Sequence, residues 1–102
     1  MGKKKSLLIK QLHDFKRKNN LDKMYLFGSR ATGRAHRWSD VDLLVVSKRF
    51  QGKGLLDRAS QLYLKWNLEY PVDFLCYTPY EFTKLRKRVS IVSEAIKHGH
   101  RI

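Results

Sequence analysis

Asp40 and Asp42 stand with one residue between them at the mouth of the apolar run Leu43–Val46. In an extended chain, alternate side chains share a face, so the two carboxylates lie side by side. Bare carboxylates at that spacing repel, and a proton or a divalent cation relieves the repulsion. Hard oxygen ligands suit Mg²⁺ or Mn²⁺. Asp73, two residues past Pro71, opens a second apolar stretch and holds the same position relative to its strand. If the two strands are neighbours, three carboxylates converge. Upstream, Gly28-Ser29 closes the stretch KMYLF. Glycine lets the backbone approach a ligand, and a short helical turn over Ser29–Gly33 would offer N–H groups to phosphate. Arg30, Arg34 and Arg37 surround that turn and would neutralise a triphosphate.

Strands and helices must bring these groups together. Leu7, Leu8, Leu12 and Phe15 recur at helical spacing between Lys5 and about Asn19, which predicts an amphipathic first helix broken by NNLD. Lys23–Phe27 reads as a first strand and Val41–Ser47, almost continuously apolar, as a strand covered on both faces. Leu55, Leu56, Ala59, Leu62, Tyr63 and Trp66 predict a second long helix, which Pro71 terminates. Val72–Tyr77 is the third strand. Thr78 then serves as N-cap, Pro79 takes the first helical position and Glu81 completes a capping box. The segment from Pro79 to His98, with Phe82, Leu85, Val89, Val92 and Ile96, is one helix or two shorter ones. The order is helix, strand, strand, helix, strand, helix.

With 102 residues, 42% hydrophobic and 30% charged, the chain is expected to fold as one globular domain over residues 1–102. No apolar run of about eighteen residues is present, and MGKKKSLLIKQL turns polar too soon for a secretion signal, so a cytoplasmic protein with no membrane partner is expected. Cys76, the single cysteine, lies in VDFLCY and reads as a buried structural thiol. Twenty-two Lys+Arg against nine Asp+Glu give a net charge of +13, which attracts polyanions. An RNA acceptor would be contacted by Lys3, Lys4, Lys5, Lys84, Arg86, Lys87 and Arg88, provided both runs share one face.

Each feature also has a plainer reading. Asp40 can be a turn residue after Ser39, and Asp73 a solvated strand edge. His13, His36, His98 and His100 lack metal-ligand spacing, and HGH reads as an exposed tail. Tyr25, Tyr63, Trp66 and Phe82 fall at strand or helix spacing, so core packing is expected of them rather than base stacking.

Gly28-Ser29, then ten residues, then Asp40-x-Asp42, with Asp73 later, resembles the minimal nucleotidyltransferases of the DNA polymerase β-like superfamily. GSRATG and SDVDLLV carry the likeness, and the element order extends it over nearly the whole chain. The resemblance implies an α/β (α+β) fold, with a small mixed sheet of at least three strands and helices packed mainly on one face. It implies transfer of a nucleoside monophosphate, AMP from ATP, to a hydroxyl. Gly28, Ser29 and Arg30 would bind phosphates, Asp40 and Asp42 two Mg²⁺ or Mn²⁺ ions, and Asp73 the second ion while helping to deprotonate the acceptor. Thr32 stands where many relatives are basic. Larger relatives clamp base and acceptor with an added domain, so a second subunit or another protein is expected to supply that wall, through apolar residues near the C-terminal helix. By resemblance the partner is a helical HEPN-type toxin, whose tyrosine such an antitoxin adenylylates or which it simply covers. The alternatives are a non-catalytic module acting by contact and a nucleotidyltransferase acting on RNA.

Overall fold

A computed structural model describes residues 3–102, apart from the side chain of Lys4. The elements are α1 (Lys3–Lys18), β1 (Lys23–Phe27), α2 (Ser29–Thr32), β2 (Val41–Val46), α3 (Leu55–Lys65), β3 (Val72–Tyr77), α4 (Pro79–Leu85), α5 (Ile91–His98) and β4 (His100–Arg101), with a 3₁₀ turn at Lys48–Phe50. The strands form one mixed sheet in the order β3-β2-β1-β4. Strand β2 is antiparallel to β1 and parallel to β3, and β4 is antiparallel to β1.

The continuous apolar character of β2 follows from its place. It has a strand on each side and a packed cluster on each face. Val41, Leu43 and Val45 join Met24, Leu26 and Phe74 beneath Leu8, Leu12 and Phe15 of α1 and Leu62 of α3. Leu44 and Val46 join Tyr25 beneath Phe82 of α4 and Val92 and Ala95 of α5. Full burial of a side chain such as Leu12 or Leu43 contributes roughly 1.5–3 kcal/mol. Phe15, Trp66 and Phe74 tie α1 to the far end of α3, with ring centroids 5.3–5.8 Å apart.

The mixed sheet is as expected, and the two long helices do share one face. The short pair α4 and α5 also covers the other, because Tyr25, Leu44 and Val46 are apolar too. Leu7, Leu55 and Leu56, expected to face inward by spacing, are exposed instead. The C-terminal segment is two helices: Ser90 and Ser93 form a capping box that starts α5 afresh and leaves Val89 fully exposed in the turn. The Thr78–Glu81 capping box with Pro79 is present as read. The expected tail is corrected at His100, which lies in β4 and pairs with Leu26 of β1.

Strand β3 lies at the sheet edge, where backbone groups need partners. Arg58 of α3, almost wholly buried, donates to the carbonyls of Cys76 (3.1 Å) and Lys53 (2.8 Å) and to Glu81 (2.7 Å). The Tyr63 hydroxyl accepts from the N–H of Phe74 (3.4 Å). Cys76 is buried, and that burial pushes its thiol up to about 11, against the opposing pull of Arg58. It is an unreactive structural thiol.

Candidate active site

Sheet topology brings the chemistry-bearing residues to one end. Strand β1 finishes where antiparallel β2 begins, and parallel β3 begins beside it. Phe27 pairs with Asp42, and Asp42 is in register with Asp73. In-register neighbours point to the same face, here the face of Leu44 and Val46. The Val41 N–H donates to the Pro71 carbonyl (2.8 Å), which sets the level of Asp40 just outside β2. Asp40 and Asp73 are exposed and Asp42 is half-buried.

Burial, and then the charges of Asp73 and Asp40, raise the Asp42 carboxyl above its ordinary value. Asp42 thus feels both neighbouring carboxylates. None of them belongs to an ion pair among the described residues. Among the described residues, no group of three or more His, Cys, Asp or Glu side chains forms a ready-made metal cage. The donor set nonetheless fits Mg²⁺, which is held by one or two carboxylates and completes its shell with water and substrate phosphates.

Gly28 has φ 75° and ψ −157°, a conformation that side chains disfavour. A Cβ at this position would also run into the Asp42 carboxylate. Glycine is required here twice over, once for its backbone and once so that the carboxylate can sit against the turn. The Gly28 carbonyl accepts from Ala31 (3.1 Å) and Thr32 (3.3 Å), which closes α2. The first N–H groups of any such turn lack acceptors within it, and Ser29 supplies one of them. Lys5 of α1 donates to the Ala31 carbonyl (3.0 Å) and anchors the other end of the turn.

Arg30 does not reach outward. Its Nε and Nη2 donate to the Ser39 carbonyl at 3.0 and 2.7 Å, and the guanidinium lies 4.5 Å from the Tyr70 ring centroid. It fastens the loop that delivers Asp40. Arg34 and Arg37 are exposed, with no ion-pair partner among the described residues. The Thr32 hydroxyl is spent on the carbonyls of Gly28 and Ser29, at 3.4 Å each.

Two residues near the carboxylates had no functional reading in the sequence. Tyr63, expected in the core, is partly exposed and its hydroxyl donates to Asp73 Oδ1 (3.4 Å). The signal was its place on the helix that precedes the Asp73 strand. Trp38 is largely exposed beside the loop arginines; a tryptophan two residues before a carboxylate pair is a cue that periodicity does not weigh.

The basic runs do not form one track. Lys3–Lys5 open α1 on one face of the sheet, and Lys84–Arg88 lie at α4 on the other. Lys5 is already spent on Ala31, and the side chain of Lys4 lies outside the described residues. A hollow of about 580 Å³ between α1 and the end of α3 contains none of the three carboxylates. No helix among the described residues is long and apolar enough to cross a membrane.

Residues 8–98 match a protein family described as "Nucleotidyltransferase domain". The fold is also similar to a crystal structure of a Sulfolobus solfataricus protein provisionally assigned as a nucleotidyltransferase. That likeness has 26% sequence identity and a TM-score of 0.57, and covers 78% of this chain and 71% of that one. Among curated proteins, none matches significantly.

Proposed function

The chain belongs to the nucleotidyltransferase-domain family, and from that premise we propose that it moves AMP from ATP to a hydroxyl on a partner protein. The observation that carries this reading is the seating of the half-buried Asp42 against Gly28, with Asp73 in register beside it. Phosphate cradle and carboxylates meet at one sheet end.

In this reading the backbone of Gly28 and Ser29 receives the β- and γ-phosphates. Asp40 and Asp42 would hold two divalent ions, with Asp73 adding a ligand to the second. When bound, the ions offset the charge that develops on the α-phosphate and the departing pyrophosphate. The acceptor oxygen forms a bond to the α-phosphorus, the bond to the β-phosphate oxygen breaks, and the hydroxyl proton passes to Asp73. Tyr63 orients Asp73 through its hydroxyl, and Arg30 orients Asp40 through Ser39. Arg34 and Arg37 add positive potential.

We take the partner to be a helical HEPN-type toxin, with this chain as its cytoplasmic antitoxin. A second reading, neutralisation by contact alone, is favoured by exposed Leu55, Leu56 and Leu64 on α3, and by Tyr80, Val89 and Ile91 near the C-terminal helices. The test is incubation with radiolabelled ATP and Mg²⁺, with and without the genomic-neighbour partner, beside the double variant Asp40→Asn, Asp42→Asn. Label on the partner that disappears with the double variant supports AMP transfer. Tight binding by both proteins without label supports contact alone.

A further inference from the structure

We propose that Trp38 is the stacking platform for the nucleobase of the incoming nucleoside triphosphate, an inference that rests on the nucleotidyl-transfer reading of the adjoining carboxylates. Trp38 is 73% exposed, more than any other aromatic residue described. A large ring left in water gains nothing for folding, yet its loop is held firmly. The Ser39 N–H donates to the His36 carbonyl (3.0 Å), and the His36 N–H to Ser39 Oγ (2.9 Å). The Trp38 N–H donates to His36 Nδ1 (3.2 Å), and Arg30 grips Ser39 from below.

The loop leads from the Gly28–Gly33 turn to Asp40, and Trp38 stands two residues before that first carboxylate. Two residues of chain span at most about 7 Å. In the proposed arrangement the ribose and base extend past the α-phosphate held at Asp40, and Trp38 is the large exposed ring next to that position in the chain. The Arg37 guanidinium sits 5.1 Å from the indole centroid, so a positive charge adjoins the ring. Stacking reads the π-face common to all bases and has no hydrogen-bond code. Purines, with the larger face, bind better than pyrimidines, and discrimination within each class is slight.

The test titrates ATP, CTP and inorganic tripolyphosphate, each with Mg²⁺, into the wild-type protein, Trp38→Ala and Trp38→Phe, by calorimetry. The wild type is expected to bind ATP about tenfold tighter than tripolyphosphate, with CTP between them. Trp38→Ala brings ATP to the tripolyphosphate level and leaves tripolyphosphate unchanged, while Trp38→Phe keeps most of the preference. An unchanged ATP-to-tripolyphosphate ratio in Trp38→Ala overturns the platform and leaves nucleotidyl transfer standing. If that unchanged ratio comes with lost binding of the partner protein, the ring belongs to a protein contact and the proposal fails. If the wild type binds none of the three ligands, the nucleotidyl reading falls, and the platform with it.

Discussion

Asp42 is the residue on which the site turns. It carries a charge that its surroundings disfavour, since burial and two neighbouring carboxylates all raise its carboxyl above the ordinary value. At neutral pH the folded state bears that penalty and the unfolded chain does not. Asp42→Asn removes the charge at nearly constant volume, so the variant is expected to melt a few degrees higher than the wild type without divalent ions. Added Mn²⁺ should raise the melting temperature of the wild type and leave the variant unmoved. A variant that melts lower in both conditions would contradict this account of the carboxylate. Gly28→Ala tests the other half of the contact. A methyl group there meets the Asp42 carboxylate in a conformation alanine avoids, so a loss of about 1–3 kcal/mol in urea unfolding is expected, together with lost tripolyphosphate binding.

These residues were legible because their chemistry lies in type and spacing. Gly28, Ser29, Asp40, Asp42 and Asp73 could be placed at strand ends without knowing any side-chain direction. Arg30 could not. Its charge suggested phosphate, but whether a guanidinium points outward or folds under its own loop depends on where Ser39 and Tyr70 lie in space. The role of Tyr63 is hidden for a related reason: helical spacing gives the face of α3 but not its distance from the sheet edge, where the hydroxyl finds Asp73 and the Phe74 N–H.

Among the elements, α3, β3 and α4 are joined by a single buried guanidinium. Arg58 reads in sequence as one more helix charge, because its partner Glu81 is 23 residues away. The Arg58 hydrogen bond comes first, ahead of the Thr78 N–H, among the effects holding the Glu81 carboxyl below its ordinary value of 4.5. A depressed carboxylate stabilises fully above the unfolded value, and that stability is lost as pH falls through the lower folded value. Glu81→Gln is therefore expected to cost about 1–2 kcal/mol at pH 7, a modest figure because Glu81 is partly exposed. It should also flatten the decline in stability below about pH 4.5, as read by urea unfolding across pH. An unaltered acid slope would show that the pair carries no such linkage. The long helices were legible from periodicity, whereas β4, two residues long, has no period to detect. The break before α5 did have a sequence signal, Ser90-x-x-Ser93, which the apolar spacing of Val89 obscured.

At the scale of the whole molecule, the net charge is +13, and the two basic runs near its ends lie at α1 and α4, on opposite faces of the sheet. Attraction to RNA is then expected to be diffuse. Filter binding to a single-stranded RNA should weaken steeply between about 50 and 200 mM salt and show little sequence preference. Affinity that persists at the higher salt would reveal a specific site that the two separated basic runs do not provide.

The pairing of β4 with β1 also bears on how the fold comes apart. Tyr25 faces Arg101 and Leu26 faces His100, and the Ile102 N–H beyond them donates to the Met24 carbonyl (2.9 Å), a short closure across most of the chain. So short a ladder with so long a loop is among the first pieces to open and the last to form. Amide protons of β4 and of the outward side of β1 should exchange with deuterium ahead of those in β2. When β4 lifts, β1 becomes a bare strand beside an apolar sheet, available to pair with any passing extended chain. These two residue pairs are thus a latch against strand-to-strand aggregation, at the edge of the sheet farthest from β3 and Asp73.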